Sequence, residues 1–343
     1  MVTTTAVGPL AADDAIQLTT LAGWRRFIGP ELPPPQLLAR AQWIALDDAG
    51  RSAYDEARIE HHAQLGVVFT PTMRKVTSEG RRLTYLNRHA VSGRFGLIVS
   101  GPARTGKTTA LTQMAKTVEI AHRQRWPQRP EDIPVLYITV PPAATARMIA
   151  AEFARFLGLP VIRRLNVTDI VEAVCGVCLD AHTVMVGVDE IHNLALNTRT
   201  GAEASDMLKY FSERIPATFV YAGIDIARAG LLSGTRGEQI AGRFAQINTG
   251  PFPRTSDWVN LIAALEGSLR LHRHTAETLV GLADYLHHRT TGMIGSLLRL
   301  IRSAAVQAVL DGTERITRRH LDAIEIDIAA QAATERKPRA ART

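Results

Sequence analysis

One glycine-rich stretch constrains the fold of this chain more than any other feature. Residues 101–108 read GPARTGKT and match the pattern G-x-x-x-x-G-K-[ST]. An apolar run, FGLIVS (95–100), comes directly before it, and a segment with helical spacing follows. In that setting the glycines let the backbone wrap around a phosphate, and the amides at the helix start point towards its negative charge. The pattern therefore predicts a strand, a phosphate-binding loop and a helix in immediate succession.

The loop residues predict the contacts of a bound nucleotide. We expect the Lys107 ammonium to reach the β and γ phosphates of ATP, and the Thr108 hydroxyl to bind Mg²⁺. The predicted nucleotide-binding residues of the loop are Gly101, Pro102, Ala103, Arg104, Thr105, Gly106, Lys107, Thr108 and Thr109.

A carboxylate pair, Asp189 and Glu190, lies at the end of another apolar run, in the segment TVMVGVDEIHN (183–193). We expect Asp189 to hold Mg²⁺ through water, and Glu190 to orient and deprotonate the attacking water. Such a pair could also be an ordinary cap at a strand end. Because a phosphate-binding loop precedes it in the same chain, the catalytic interpretation is favoured.

Short apolar, β-branched runs alternate with amphipathic segments between about residues 95 and 250. The five runs are FGLIVS (95–100), VLYITV (135–140), TVMVGVD (183–189), ATFVYAG (217–223) and FAQINT (244–249). This alternation is typical of an α/β fold with a parallel sheet covered by helices on both faces. The run ATFVYAG (217–223) is expected to insert between the two strands that carry the motifs. After Pro253 the pattern predicts four helices, at roughly 255–267, 275–288, 293–310 and 317–330, with Thr255, Thr275 and Thr317 as N-caps and Gly312 as a stop.

These shifts in pattern divide the chain into four expected parts. Residues 1–74 form an N-terminal extension for protein contacts, and residues 75–254 form the nucleotide-binding core. Residues 255–331 form a helical lid. Residues 332–343 form a basic, disordered tail, since they lack apolar periodicity.

Charge and cysteine content narrow the function further. Residues 81–130 carry ten Lys or Arg against one acidic residue, an excess that suits a polyanion such as nucleic acid. The two cysteines, Cys175 and Cys178, lie in one helical segment without a second ligand pair, so we expect helix packing rather than zinc or redox chemistry. No membrane span or secretory signal is indicated, and we expect a cytoplasmic protein.

At this point the chain resembles the AAA+ ATPases, and across residues 55–330 it resembles their TniB/TnsC type, the regulators that work beside bacterial transposases. The phrases that carry the likeness are VSGPARTGKTTAL, VGVDEIHNL, VYAGIDIA, AGRFAQI and the helical lid. The fold implied is an AAA+ P-loop NTPase with a parallel five-stranded sheet and a C-terminal four-helix lid.

The resemblance also implies roles for two arginines. Arg243, in GEQIAGRFAQI, corresponds to the arginine finger that reaches the γ phosphate bound by a neighbouring subunit. Arg299, in TTGMIGSLLRLIR, corresponds to the second sensor, with Arg302 as the substitute one turn further on. The first sensor stays unassigned, because the strand runs into residues 222–225, AGID, where the family has Asn, Ser or Thr.

The function implied is that of an ATP-dependent homo-oligomer, a ring or helical filament on double-stranded DNA, which presents a target to a DDE-type transposase. DNA contacts would read phosphates and not bases. The candidates are Arg147 in PPAATARM and Arg199 in ALNTRTGAE. His192 lies beside the carboxylate pair, where it could couple the site to a neighbour or only pack.

Three alternatives stay open from the sequence. DEIH (189–192) also fits a helicase box, but nothing after residue 254 reads as the second parallel-sheet domain that helicases need. Another AAA+ machine, of the initiator, clamp-loader or regulatory kind, would share the same core motifs. A module that holds ATP without turning it over is opposed by the intact set of Lys107, Asp189, Glu190 and Arg243.

Overall fold

The five apolar runs form one parallel sheet in the computed structural model, which describes residues 17–30, 33–161, 166–196, 198–226 and 241–326. The strands are β1 (Gly96–Ser100), β2 (Val135–Thr139), β3 (Met185–Asp189), β4 (Thr218–Gly223) and β5 (Phe244–Asn248). Their order in the sheet is β2-β3-β4-β1-β5. The predicted α/β fold is confirmed, and β4 lies between the two motif strands as expected.

Burial along the strands follows from their place in the sheet. Every residue of β1, β3 and β4 is buried, as in parallel strands covered on both faces. β5 lies at the edge, and of its five residues only Ile247 is buried. The β2–β3 register pairs Tyr137 with Gly187 and Thr139 with Asp189, which places β2 side chains beside the end of the motif strand.

Helices connect and cover the strands. The described α-helices are α1 (Leu21–Ile28), α2 (Arg40–Ile44), α3 (Asp48–Ala63), α4 (Pro71–Asn87), α5 (Lys107–Arg125), α6 (Ala146–Phe156), α7 (Val167–Asp180), α8 (Arg199–Arg214), α9 (Ser256–Gly267), α10 (Ala283–Thr290), α11 (Ile294–Leu310) and α12 (Arg318–Ala323). Side-chain caps fix several of their starts: Thr145 accepts a hydrogen bond from the Met148 amide, and Thr198 accepts one from the Gly201 amide. None of the described helices has the length and apolar character needed to cross a membrane.

The contacts within the chain define two compact units. The first contains the described residues up to 30, with 79–99 and 111–246, and holds most of the sheet and its covering helices. The second contains the described residues between 31 and 78, with 100–110 and those from 247 onward. The domain boundaries expected at 74, 254 and 331 stay a prediction, and the tail 332–343 lies outside the described residues.

The second unit has a helical core of its own. Its buried centre is built from apolar residues of α9, α10 and α11, among them Trp258, Leu265, Leu286, Leu297 and Ile301. Four α-helices are described after Pro253, as the sequence predicts.

One helix start in this region was predicted wrongly. The second of the four helices begins at Ala283 and not near Thr275. Glu277 takes a left-handed conformation (φ 66°), which a continuous helix does not tolerate. The Leu279 amide instead donates to the Glu266 carboxylate at 2.7 Å, so the segment is held in turns.

The end of the fourth helix was also predicted wrongly, since α12 ends at Ala323 and Ile324 takes an extended conformation, well before the expected end near 330. The other caps and stops expected in this region agree with the structure. Thr317 caps α12 by accepting from the His320 amide, and Gly312 follows α11 in a left-handed conformation (φ 68°). Thr255 stands at the N-cap of α9, although its side chain makes no capping hydrogen bond. Cys175 and Cys178 are free and buried in α7, and burial raises the pKa of Cys178 to about 12. Both observations agree with the packing role expected for the cysteines.

Candidate nucleotide-binding site

The glycine loop leaves the end of β1 and leads into the first turn of α5. Gly101 lies so close to Thr249 that an added Cβ would be 2.2 Å from the Thr249 carbonyl oxygen and 2.4 Å from its hydroxyl oxygen. Gly106 takes a left-handed conformation (φ 85°). Both positions therefore require glycine, for two different reasons. The loop leads into a 19-residue helix, whose N-terminal amides favour negative charge.

Lys107 is held against this loop. Its side chain is buried, and Nζ donates to the Pro102 carbonyl at 2.7 Å. The Thr105 hydroxyl donates to the same carbonyl at 2.9 Å and lies 2.6 Å from the Thr249 hydroxyl. Thr108 is exposed in the first turn of α5. A lysine ammonium, an exposed hydroxyl and a glycine backbone fit the phosphates of a nucleotide with its cation.

The start of α11 contacts the loop within the second unit. The Gly295 amide donates to the Arg104 carbonyl at 3.1 Å, and an added Cβ at Gly295 would lie 3.1 Å from Cβ of Arg104. Arg299 is exposed one turn further along α11, on the same face as Gly295. Arg302 donates instead to the Leu65 carbonyl at 2.9 Å. The role of Arg299 as the second sensor stays a prediction.

The carboxylate pair ends β3 in the first unit. Asp189 is 2% exposed, and both of its carboxylate oxygens accept hydrogen bonds. Oδ1 accepts from the Glu190 amide at 2.8 Å, and Oδ2 accepts from the Tyr137 hydroxyl at 3.0 Å. Burial and the Asp189 charge raise the pKa of Tyr137, so its hydroxyl stays protonated and can donate. Each carboxylate oxygen keeps a second lone pair, which suits the oxygen ligation that Mg²⁺ prefers.

Glu190 follows in a left-handed backbone conformation (φ 55°), which costs of order 1–3 kcal/mol in a residue other than glycine. Its carboxylate lies 3.3 Å from Nε2 of His192. Nδ1 of His192 accepts from the Ile224 amide at 3.3 Å, so the neutral ring carries its proton on Nε2 and donates to Glu190. His192 thus connects the carboxylate to the segment after β4, where the sequence left the first sensor unassigned. Sequence reasoning named His192 without this role and missed Tyr137.

The remaining predicted residues lie elsewhere in the first unit. Arg243 is exposed directly before β5, and its carbonyl accepts from the Gly96 amide at 3.0 Å. Arg147 is in the first turn of α6, and Arg199 is in the first turn of α8. The Arg199 side chain is 93% exposed and pairs with Glu203 at 2.9 Å.

Three of the ten basic residues in 81–130 line one groove of the first unit. Arg81, Arg88 and Arg125 line this groove, whose volume is about 270 Å³. Arg88 stacks over the Tyr85 ring, and Arg125 stacks over the Trp126 ring. Carboxylate side chains are missing from the described lining, so the groove presents positive charge.

Comparison with known families identifies the chain from its sequence. Residues 58–253, more than half of the chain, match the profile of the family described as Bacterial TniB protein. The chain belongs to the TniB family. The match begins in α3 and ends just before α9, so it contains the glycine loop and the carboxylate pair of this TniB protein. A comparison with curated proteins gave no significant match.

Solved structures agree with the AAA+ fold of the TniB chain. The structure of the Aeropyrum pernix ORC1 protein in complex with DNA has a TM-score of 0.61 at 15% identity, covering 80% of this chain and 69% of that one. The Aeropyrum pernix ORC2 protein, in ADPNP–ADP complexes, has a TM-score of 0.57 at 16% identity, covering 76% and 70%. Drosophila ORC bound to DNA has a TM-score of 0.52 at 14% identity, covering 86% and 69%. At such low identity these likenesses establish the fold alone.

Proposed function

We propose that this TniB protein is a Mg²⁺-dependent ATPase that assembles on double-stranded DNA and regulates target selection by a DDE-type transposase. The observation that carries the ATPase proposal is the glycine loop, where Gly101 packs on Thr249 and Lys107 is buried at the start of α5. Membership of the TniB family supports the transposition role. The basic groove supports DNA binding.

The residues of the chain would divide the reaction between them. Lys107 and the loop amides would bind phosphate oxygens, and Thr108 and Asp189 would hold the cation. Bound Mg²⁺ would supply Lewis-acid neutralisation of the phosphate charge. Glu190 would take the proton of the attacking water, and the hydrogen bond from His192 would orient its carboxylate. Removing a general base typically lowers the rate by 10²–10⁴-fold, and we expect a loss of that order for Glu190→Gln.

Arg243 would complete the site of a neighbouring copy. Its exposed side chain, directly before β5, supports a role between subunits. The test mixes two inactive variants: Arg243→Ala, which lacks the finger, and Lys107→Ala, which lacks the nucleotide site. A finger acting in trans restores part of the ATPase activity in the mixture. Arg94→Ala, on the wall of the groove that Arg243 also lines, is the control and should retain activity alone. A mixture as inactive as its components would contradict this role.

DNA would be bound through phosphates and without base recognition. The groove of Arg81, Arg88 and Arg125 supports this, and the helix starts at Arg147 and Arg199 are further candidate contacts. The first experiment is electron microscopy of the protein with double-stranded DNA in ATP, in ADP and without nucleotide. Rings or filaments on DNA only with ATP are expected. Monomers under every condition would contradict both assembly and the proposed role of Arg243.

A second candidate is an initiator-like AAA+ ATPase, which the fold likeness to ORC proteins favours. The two candidate functions, transposition regulator and initiator-like ATPase, differ in the protein that is recruited to DNA. In a strand-transfer assay, the ATP-bound protein on target DNA should direct insertions by a DDE transposase from the same genome to the DNA it occupies. Random insertion, despite assembly on DNA, would favour the initiator-like alternative.

A further inference from the structure

Tyr137 and helix α1 form a chain of contacts that ends on Asp189. All of its members belong to the first unit. The Tyr137 hydroxyl donates to Oδ2 of Asp189 at 3.0 Å, and the Trp24 ring stacks on the Tyr137 ring with centroids 6.1 Å apart and an interplanar angle of 14°. Trp24 is fully buried. The indole therefore limits the positions that the Tyr137 ring can adopt.

The Tyr137 ring lies against β3 at Gly187. Tyr137 is paired in register with Gly187, two residues before Asp189 on the same face of β3. An added Cβ at Gly187 would lie 3.4 Å from Cδ2 of Tyr137 and 3.4 Å from Cδ1 of Leu111. The Tyr137 ring thus lies across β3 and reaches Asp189 with its hydroxyl.

Helix α1 is itself fixed in place. Thr20 caps it by accepting from the Gly23 amide at 3.1 Å. Nε1 of Trp24 donates to the buried Glu119 carboxylate at 3.4 Å, and Lys116 lies over the Phe27 ring. Helix α1 is thereby attached to α5.

We propose that Tyr137 positions the Asp189 carboxylate for the metal ion, and that docking of α1 through Trp24 sets how much Mg²⁺ the site requires. This inference rests on the proposed ATPase function. Tyr137 is a positioning residue, since it acts through Asp189. Because the Glu190 amide holds the other carboxylate oxygen, loss of the Tyr137 hydroxyl frees the carboxylate to rotate. Anything that displaces α1 would then weaken the metal site.

The test measures Mg²⁺ dependence of nucleotide binding and not turnover. Binding of a fluorescent ATP analogue is followed while Mg²⁺ is titrated into metal-free protein. Loss of an outer-shell partner typically lowers metal affinity by 10–100-fold, so Tyr137→Phe should raise the half-saturating Mg²⁺ by at least about 10-fold. Affinity for the analogue without Mg²⁺ should not change. Trp24→Phe should raise the half-saturating Mg²⁺ concentration by a smaller factor. Because both residues act through the same contact, the variant with both substitutions should raise it by less than the product of the two single factors.

Two matched controls separate positioning from stability. Tyr221→Phe changes another buried tyrosine of the sheet, whose ring stacks on Phe244, and Trp258→Phe changes a buried tryptophan of the second unit. Both should leave the Mg²⁺ requirement unchanged, whatever they do to the melting temperature. An unchanged requirement in Tyr137→Phe, with Mg²⁺-dependent binding in the unsubstituted protein, would overturn this inference alone. Mg²⁺-independent binding in the unsubstituted protein would overturn the proposed function as well.

Discussion

His62 makes the stability of this protein depend on pH, mainly between 6.5 and about 4. The ring is buried in α3, where Nε2 accepts from the Arg270 amide at 2.9 Å. Nδ1 lacks a hydrogen-bond partner among the described residues. Burial, with the nearby His61 and Arg58 charges, lowers the pKa of His62 from 6.5 to about 4. A proton on Nε2 would displace the Arg270 amide and leave a charge in a buried site.

The sign and size of the pH effect follow from the difference between the pKa of His62 in the folded protein and in the unfolded chain. Because the unfolded chain binds the proton first, stability is complete above pH 6.5 and is lost as the pH falls towards 4. A pKa difference of one between the folded and unfolded states corresponds to about 1.4 kcal/mol. The protein should therefore lose about 2 kcal/mol of unfolding free energy between pH 8 and pH 5 through protonation of His62. Burial also lowers the pKa of His272, which adds a loss in the same direction. Burial alone would raise the pKa of Glu314, but hydrogen bonds from Arg58 bring it below its ordinary value. The stability that the ionised Glu314 contributes is therefore lost only at a pH below the range of this assay.

The assay compares the unsubstituted protein with His62→Gln in urea unfolding followed by circular dichroism at pH 8, 7, 6 and 5. Glutamine offers an amide oxygen to the Arg270 amide but does not titrate. From pH 8 to pH 5, the unsubstituted protein should lose about 2 kcal/mol more unfolding free energy than His62→Gln does. A difference that stays constant with pH would refute the reasoning, because the His62 ring would then not be neutral and buried in the folded state.

Three further predictions concern the loop, the DNA contacts and the cysteines. Gly101→Ala should abolish binding of a fluorescent ATP analogue, since the new Cβ would overlap the Thr249 carbonyl; binding equal to that of the unsubstituted protein would contradict the described loop. Arg147→Ala and Arg199→Ala should each reduce the salt dependence of DNA binding, measured by fluorescence anisotropy, by about one unit of slope without changing base preference; unchanged slopes would exclude them as phosphate contacts. The two cysteines of α7 should resist a thiol reagent at pH 8 until the protein is unfolded, since burial raises the pKa of Cys175 to about 11; rapid labelling of the folded protein would contradict their burial.

Features that depend on local sequence could be predicted. The five strands were found from short apolar runs, and the glycine loop from a fixed spacing between a strand and a helix, because each pattern reports its own segment. The position of β4 between β1 and β3 followed from the order of the motifs along the chain. The roles of Lys107, Asp189 and Arg243 stay predictions, because spacing along the chain reports position and not chemistry.

Features that depend on contacts between distant segments could not be predicted. The bond from Tyr137 to Asp189 needs the β2–β3 register, and nothing in either run sets which residues pair. The bond from His192 to the Ile224 amide joins two loops that are 32 residues apart. The start of α10 was missed because Glu266, on a preceding helix, holds the segment that seemed helical from its own spacing.

Two helices that precede the glycine loop in sequence, α3 and α1, are connected by side-chain contacts to residues predicted to bind nucleotide. Within the second unit, Arg58 of α3 donates two hydrogen bonds to the buried Glu314 carboxylate, and Arg302 of α11 donates to the Leu65 carbonyl just after α3. The same helix α11 begins at the glycine loop, where Gly295 donates to Arg104. A change in the loop would therefore reach α3 through one helix.

Within the first unit, α1 reaches Asp189 through Trp24 and Tyr137. The glycine loop and Asp189 are thus each connected to a helix that precedes them in sequence. If a partner shifts α1 or α3 and thereby changes nucleotide affinity, linkage requires bound nucleotide to change the partner's affinity by the same factor. Such reciprocity is what a regulator needs if it is to present DNA to a transposase only while ATP is bound.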